Sequence, residues 1–182
     1  KQIFESVGLQ LFDVEQIPTH GGSLRIYAKH KENESLLVSD TVHELLKLEM
    51  DKGMTTIAYY NNFQKKALDV KLALLSFLVD KKKSGQKVAA YGAAAKGNTL
   101  LNYCGIGTDL IPYTFDKNPM KVGLYTPGMH IPVLPVADLS DRFPDYLLIL
   151  AWNFADEVMR QQQDYYRTGG RFIIPIPQPR II

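Results

Sequence analysis

A single cysteine, Cys104, stands in a chain of 182 residues. One thiol excludes an intrachain disulfide and any multi-cysteine zinc site, so neither a covalent staple nor a cysteine-built metal centre is expected. Charge of one sign is equally scarce. The formal net charge is +2, far from the basic stripe that nucleic-acid binding uses. The one basic cluster, Lys81-Lys82-Lys83 with Lys87, follows a helical pattern and fits a solvated helix C-terminus, where cations oppose the dipole. No apolar run approaches the roughly 20 residues that span a bilayer, and residues 73–79, ALLSFLV, fall well short. A secretory signal is also missing from the start. These absences predict a cytoplasmic protein with neither nucleic acid nor membrane as partner, and a start at Lys1 rather than Met suggests a piece of a longer protein.

What is present is ordinary globular material: 46% hydrophobic and 22% charged residues, enough for one domain or one domain plus the remnant of another. Residues 1–8 read as a helix end with an apolar face of Ile3, Phe4 and Val7, stopped by Gly8. Partial alternation over residues 9–17 and 23–29, around Pro18-Thr19-His20-Gly21-Gly22, predicts a β-hairpin with a long connection. Residues 31–35 are polar and read as a linker, so the expected division is 1–35 and 36–182. Ser39 or Asp40 caps a predicted helix ending near Gly53. A second helical pattern after Thr56 extends to about Lys83, roughly 40 Å at the helical rise. From residue 87 onward strands and helices interleave: strands at 87–91, 111–116, 131–133, 146–150 and 171–175, one helical turn at 136–139, and a helix capped by Asn153 that runs to Arg167. The predicted fold is α/β: a small Rossmann-like, mainly parallel sheet flanked by helices, preceded by the hairpin and the long helix.

Residues 87–103, KVAAYGAAAKGNTLLNY, carry the strongest local signal. An apolar strand breaks into Gly92-Ala93-Ala94-Ala95-Lys96-Gly97, which has little bulk to keep a ligand from the backbone, and Asn98 or Thr99 can cap the helix that follows. Free N–H groups at a helix start beside a lysine suit phosphates. Yet Lys96-Gly97 reverses the Walker order, and only Gly92 and Gly97 are available where a dinucleotide fingerprint needs three glycines. Asp116 ends the next apolar run, where a Rossmann-type unit holds a ribose hydroxyl. A nucleotide-like ligand and plain βαβ turn chemistry both remain open on spacing alone.

Taken together, His20-Gly21-Gly22-Ser23-Leu24-Arg25, the 91–99 loop, Asp116-Lys117-Asn118-Pro119, Tyr125-Thr126-Pro127-Gly128, His130-Ile131-Pro132-Val133, Leu150-Ala151-Trp152-Asn153-Phe154 and Gly169-Gly170-Arg171-Phe172-Ile173 resemble one family. In this order, over nearly the whole chain, they are similar to the C-terminal region of S-adenosylmethionine-dependent nucleotide-sugar C-methyltransferases. The resemblance implies a parent enzyme with a zinc-binding N-terminal domain, a central methyltransferase domain and a C-terminal Rossmann-like domain, methylating a carbon of a dTDP-type keto-deoxysugar. It implies that residues 1–35 are the tail of the central domain, with the hairpin as the antiparallel end of its sheet. It also implies that S-adenosylmethionine, zinc and the proton-removing Tyr and His belong upstream, so the fragment alone is expected to be inactive and to hold no metal.

The chemistry expected here is therefore recognition. C-methylation beside a ketone needs a base, and histidine suits that task near neutrality. His43 and His30 fit packing or solvent; His20 and His130, in glycine- or proline-bordered loops, are the weak candidates. The expected substrate-binding set is Gly92, Ala93, Ala94, Lys96, Gly97 and Asn98 near the diphosphate, Asp116, Lys117 and Asn118 near the nucleoside or sugar, and His130, Trp152 and Asn153 along the same crevice. A scaffold or closing-lid role, with apolar patches on residues 9–29 and 56–83, is the alternative, followed by an independent nucleotide-binding protein.

Overall fold

The computed structural model describes residues 1–182, which divide into two compact units, 1–64 and 65–182. In the first, α1 (Gln2–Glu5) leads into an antiparallel hairpin of β1 (Leu9–Ile17) and β2 (Ser23–His30), with a register shift between Leu11 and Asp13. α2 (Asp40–Asp51) is tied back to the hairpin, and its cap explains how. Ser39 accepts the Thr41 N–H while its own N–H bonds the Phe12 carbonyl at 2.7 Å, and the Thr41 hydroxyl donates to Asp13 at 2.7 Å. The polar stretch at 31–35 thus lies inside this unit.

The expected single helix from residue 57 to 83 is two. A short α3 (Ile57–Tyr60) is followed by α4 (Phe63–Lys83), 21 residues and about 31 Å. The break falls at Asn61-Asn62, residues that compete for backbone hydrogen bonds and favour helix ends, and the Tyr60 hydroxyl is turned back to the Met54 carbonyl.

The second unit is built on period-2 alternation. Its strands are β3 (Val88–Tyr91), β4 (Thr114–Asp116), β5 (Val133–Pro135), β6 (Tyr146–Ile149), β7 (Arg171–Ile174) and β8 (Arg180–Ile181). Val88, Ala90, Leu148 and Ile173 face one side, where Leu74 and Leu78 of α4 and Leu100, Leu101 and Cys104 of α5 (Ala95–Cys104) pack on them. Ala89, Tyr91, Leu147, Ile149, Phe172 and Ile174 face the other, under Leu139 of α6 (Leu139–Arg142), Val158 of α7 (Ala155–Gln161) and Tyr165 of α8 (Gln163–Arg167). Each such large side chain contributes about 1.5–3 kcal/mol by leaving water. Sheet order is β5-β4-β3-β6-β7-β8, parallel throughout except the antiparallel β8. This is the Rossmann order, with its reversal point between β3 and β6.

Three further expectations shift. The helix foreseen from Asn153 to Arg167 starts as a 3-10 turn at Trp152–Phe154 and kinks at Gln162, whose φ and ψ are −108° and 33°. The turn at 136–139 extends through α6 to Arg142. β8, after the cis Ile176–Pro177 bond, has only two residues and no pattern to announce it.

Candidate functional site

Ligands of open α/β sheets sit beyond the carboxyl ends of the strands, and in this unit three connections lie there: β3 to α5, β4 to β5, and the segment after β6. The first is shorter than its sequence suggests. α5 begins at Ala95 with Ala94 as N-cap, so Lys96, Gly97 and Asn98 are helical and Asn98 caps nothing. Gly97 is present for packing: a Cβ there would lie 2.5 Å from the Leu150 Cβ and 2.9 Å from its carbonyl oxygen. Glycine lets the helix lie directly on the end of β6. The part of the loop left outside the helix is Gly92 to Ala94, all half-buried.

Asp116 shapes that loop. Its carboxylate is nine-tenths buried, with Oδ2 accepting the Ala93 N–H at 2.6 Å and Oδ1 accepting the Asn118 N–H at 2.8 Å. Lys121 completes a ring: its Nζ donates to the Ala93 carbonyl at 3.0 Å and lies 3.5 Å from Asp116 Oδ2. An ammonium has three donors, so two inward contacts leave a third for the solvent side, where Lys121 is half-exposed. Sequence reading missed Lys121; the available signal was a cation five residues after the strand-end acid, in a loop too rich in turns to place.

Beside this ring is a cavity of about 590 Å³ whose walls include Ala93, Asn98, Thr99, Lys121, Tyr125 and Leu150. That volume fits a nucleotide-sized ligand. Its mainly apolar walls suit a ring, Tyr125 offers a stacking face, and the polar side chains of the lining are those of Asn98, Thr99, Tyr125, Thr126 and Lys121. A groove of about 420 Å³ lies on the other face of the sheet, between Leu139 and Phe143 on one side and Tyr165 and Thr168 on the other, and shares no lining residue with this cavity.

The structure thus brings Ala93, Ala94 and Asn98 into one cavity wall with Lys121, with Asp116 bonded behind them, while Gly92 lies against Ala151 outside that wall. Other expected residues go elsewhere. Asn118 folds its side chain back to accept the Met120 N–H at 2.9 Å. Lys117 donates to Gln161 on α7. Lys96 lies over the Trp152 ring, 5.6 Å from its centroid, and Trp152 packs partly into both cores. Asn153 is half-buried in the 3-10 turn after β6. His130 is exposed at φ 50° and borders no part of the cavity. His20, at φ 56°, belongs to the hairpin turn of the other unit. Nowhere in the structure do three or more His, Cys, Asp or Glu side chains converge as a metal site would need.

The second flank carries a polar chain of its own. The Tyr91 hydroxyl accepts from Gln162 at 3.1 Å, and burial pushes its phenol above the usual value. Gln161 donates to Glu157 at 2.8 Å. The Gln162 bond fastens the C-terminal end of α7 to the end of β3, while the Gln161 bond stays within α7.

Comparison with known proteins agrees with this architecture. C-methyltransferase NovU of Streptomyces niveus is 35% identical over 180 residues, 99% of this chain and 43% of the relative, so the chain spans less than half of that relative's length. The family described as C-methyltransferase C-terminal domain matches residues 18–177, which takes in the second strand of the hairpin, both core faces and the whole Asp116–Lys121 ring. The chain belongs to the C-methyltransferase C-terminal domain family.

Proposed function

We propose that this chain is the C-terminal part of an S-adenosylmethionine-dependent, cytoplasmic C-methyltransferase acting on a nucleotide-linked keto-deoxysugar of the dTDP type, and that its Rossmann-like unit holds the nucleotide portion of that substrate. The observation that carries this reading is the ring of Asp116, Ala93 and Lys121 at the rim of the apolar cavity. A nucleoside diphosphate has an aromatic face and a polyanionic end. The cavity offers Tyr125 and aliphatic walls to the first, and Lys121 to the second. Asp116 serves by shaping the loop. Both its oxygens are already engaged by Ala93, Asn118 and Lys121, so the strand end does not fit the ribose clamp of an S-adenosylmethionine site. In this reading the methyl donor and zinc belong to domains upstream, and the fragment alone is inactive.

Calorimetric titration of the full-length protein with dTDP tests it. Micromolar to submillimolar binding that weakens about tenfold in Lys121→Ala, one charge-assisted contact's worth, supports the reading. No binding by the unmodified protein would sink it.

A second reading, a scaffold or lid packed on the methyltransferase domain, is favoured by one observation. In residues 1–64 only Val42 is buried, while Ile3, Val7, Leu24, Ile26, Ile57 and Phe63 are exposed. A two-stranded hairpin with an uncovered apolar face is marginal on its own, and a partner sheet would complete it. This reading predicts that residues 1–64 lose amide protection when the upstream domain is removed. An independent nucleotide-binding protein would instead keep them protected.

A further inference from the structure

The wall of the cavity opposite Ala93 is a loop that closes on itself through the Tyr125–Pro132 bridge and the Ile131 N–H bond to Thr126 Oγ1, and one side chain ties it to α5. Asn102, on the exposed side of α5, donates from Nδ2 to the Pro127 carbonyl at 3.0 Å and to the Asn98 carbonyl at 2.9 Å, with Asn98 Oδ1 at 3.3 Å. Gly128 is shaped to it. A Cβ at Gly128 would overlap the Asn102 amide, with Cγ only 2.8 Å away, and the residue sits at φ +82°. Tyr125, Thr126 and Pro127, which line the cavity, are therefore fastened to the helix that supplies Asn98 and Thr99 on its other side.

The polarity of the clamp matters as well. Asn102 donates, so the oxygen end of the Asn98 amide is turned toward it, and the NH2 end, with two donors, is what Asn98 has to offer the cavity. We propose that Asn102 is a positioning residue for the ligand site: it fixes the Tyr125–Pro127 wall and sets Asn98 as a donor toward a carbonyl or phosphoryl oxygen of the ligand. This rests on the reading of the cavity as the nucleotide site.

The test uses the full-length protein with dTDP as probe, comparing Asn102→Ala, Asn102→Asp, Gly128→Ala and the double variant N102A/G128A by calorimetry, melting temperature and hydrogen exchange. Losing the tether is expected to weaken dTDP binding about 5- to 10-fold in Asn102→Ala, the equivalent of one to two neutral hydrogen bonds. Exchange at the Thr126 and His130 amides rises, and β6 amides stay protected. Asn102→Asp keeps the shape but cannot donate, so it binds no better than Asn102→Ala. Gly128→Ala costs affinity by itself and adds less to Asn102→Ala than it costs alone, because the steric conflict has gone. Unchanged dTDP affinity in Asn102→Ala, or wild-type affinity in Asn102→Asp if the alanine variant fails to fold, overturns the proposal while leaving the cavity reading intact. Failure of the unmodified protein to bind dTDP overturns both.

Discussion

Gly97 sets two costs against each other. Alanine is the better helix former by about 1 kcal/mol, yet a methyl group here meets the Leu150 Cβ at 2.5 Å and backbone behind it. Overpacking of that kind costs about 1–3 kcal/mol, so Gly97→Ala is expected to lower the melting temperature despite its propensity gain. Thr114 runs the other way. Its hydroxyl is fully buried with no hydrogen-bond partner. Thr114→Val keeps the β-branched shape on β4, removes a desolvated oxygen, and is expected to stabilise by about 1 kcal/mol in denaturant unfolding. At Asp116 the loss is compound. Asp116→Ala strands the Ala93 and Asn118 N–H groups and the Lys121 ammonium together, and is expected to cost about 2–3 kcal/mol. Unlike Thr114→Val, it should also weaken dTDP binding.

The elements were legible in proportion to their burial. β3, β6 and β7 are short apolar runs with both faces covered, and their strand character and order follow from alternation with helices. What misled were polar residues with two uses. Asn98 looks like a helix cap because it often is one; here the cap falls at Ala94, since close packing against Leu150 draws the helix start back along the chain. Asn61-Asn62 ends a pattern whose apolar periodicity continues across it. The site was half visible for the same reason: Gly92 to Ala94, Asn98 and Asp116 sit at strand and helix ends, whereas Lys121 and Tyr125 come from a loop with no period to place them.

Tyr165 gives the helical layer a pH limit. Its single hydroxyl hydrogen is donated to the Pro144 carbonyl at 2.9 Å, with the Arg171 carbonyl at 3.3 Å as a second, longer acceptor, and burial pushes its phenol well above its ordinary value near 10.0. The folded pKa exceeds the unfolded one, so this contribution is intact below about pH 10 and is lost as pH rises from there toward the folded value. Urea midpoints should fall with pH above about 10, and fall less steeply in Tyr165→Phe, which gives up about 1 kcal/mol at neutral pH with its donor. An equal slope in both proteins would contradict this assignment.

On the scale of the molecule the two units differ in kind. Residues 65–182 have two core faces on a six-stranded sheet; residues 1–64 bury only Val42 and present apolar side chains to solvent. The proposed function expects such a contrast, with residues 65–182 as the recognition unit and residues 1–64 as a segment completed by another domain. The sequence announced the contrast only through family likeness, because exposed apolar residues at helical or strand spacing read the same as core. The most direct measurement is hydrogen–deuterium exchange of the full-length protein with and without saturating dTDP. The account predicts slower exchange confined to residues 92–102 and 118–130, with β7 and β8 unchanged. Protection elsewhere with none at Ala93, Asn98, Lys121 or Tyr125 would contradict it.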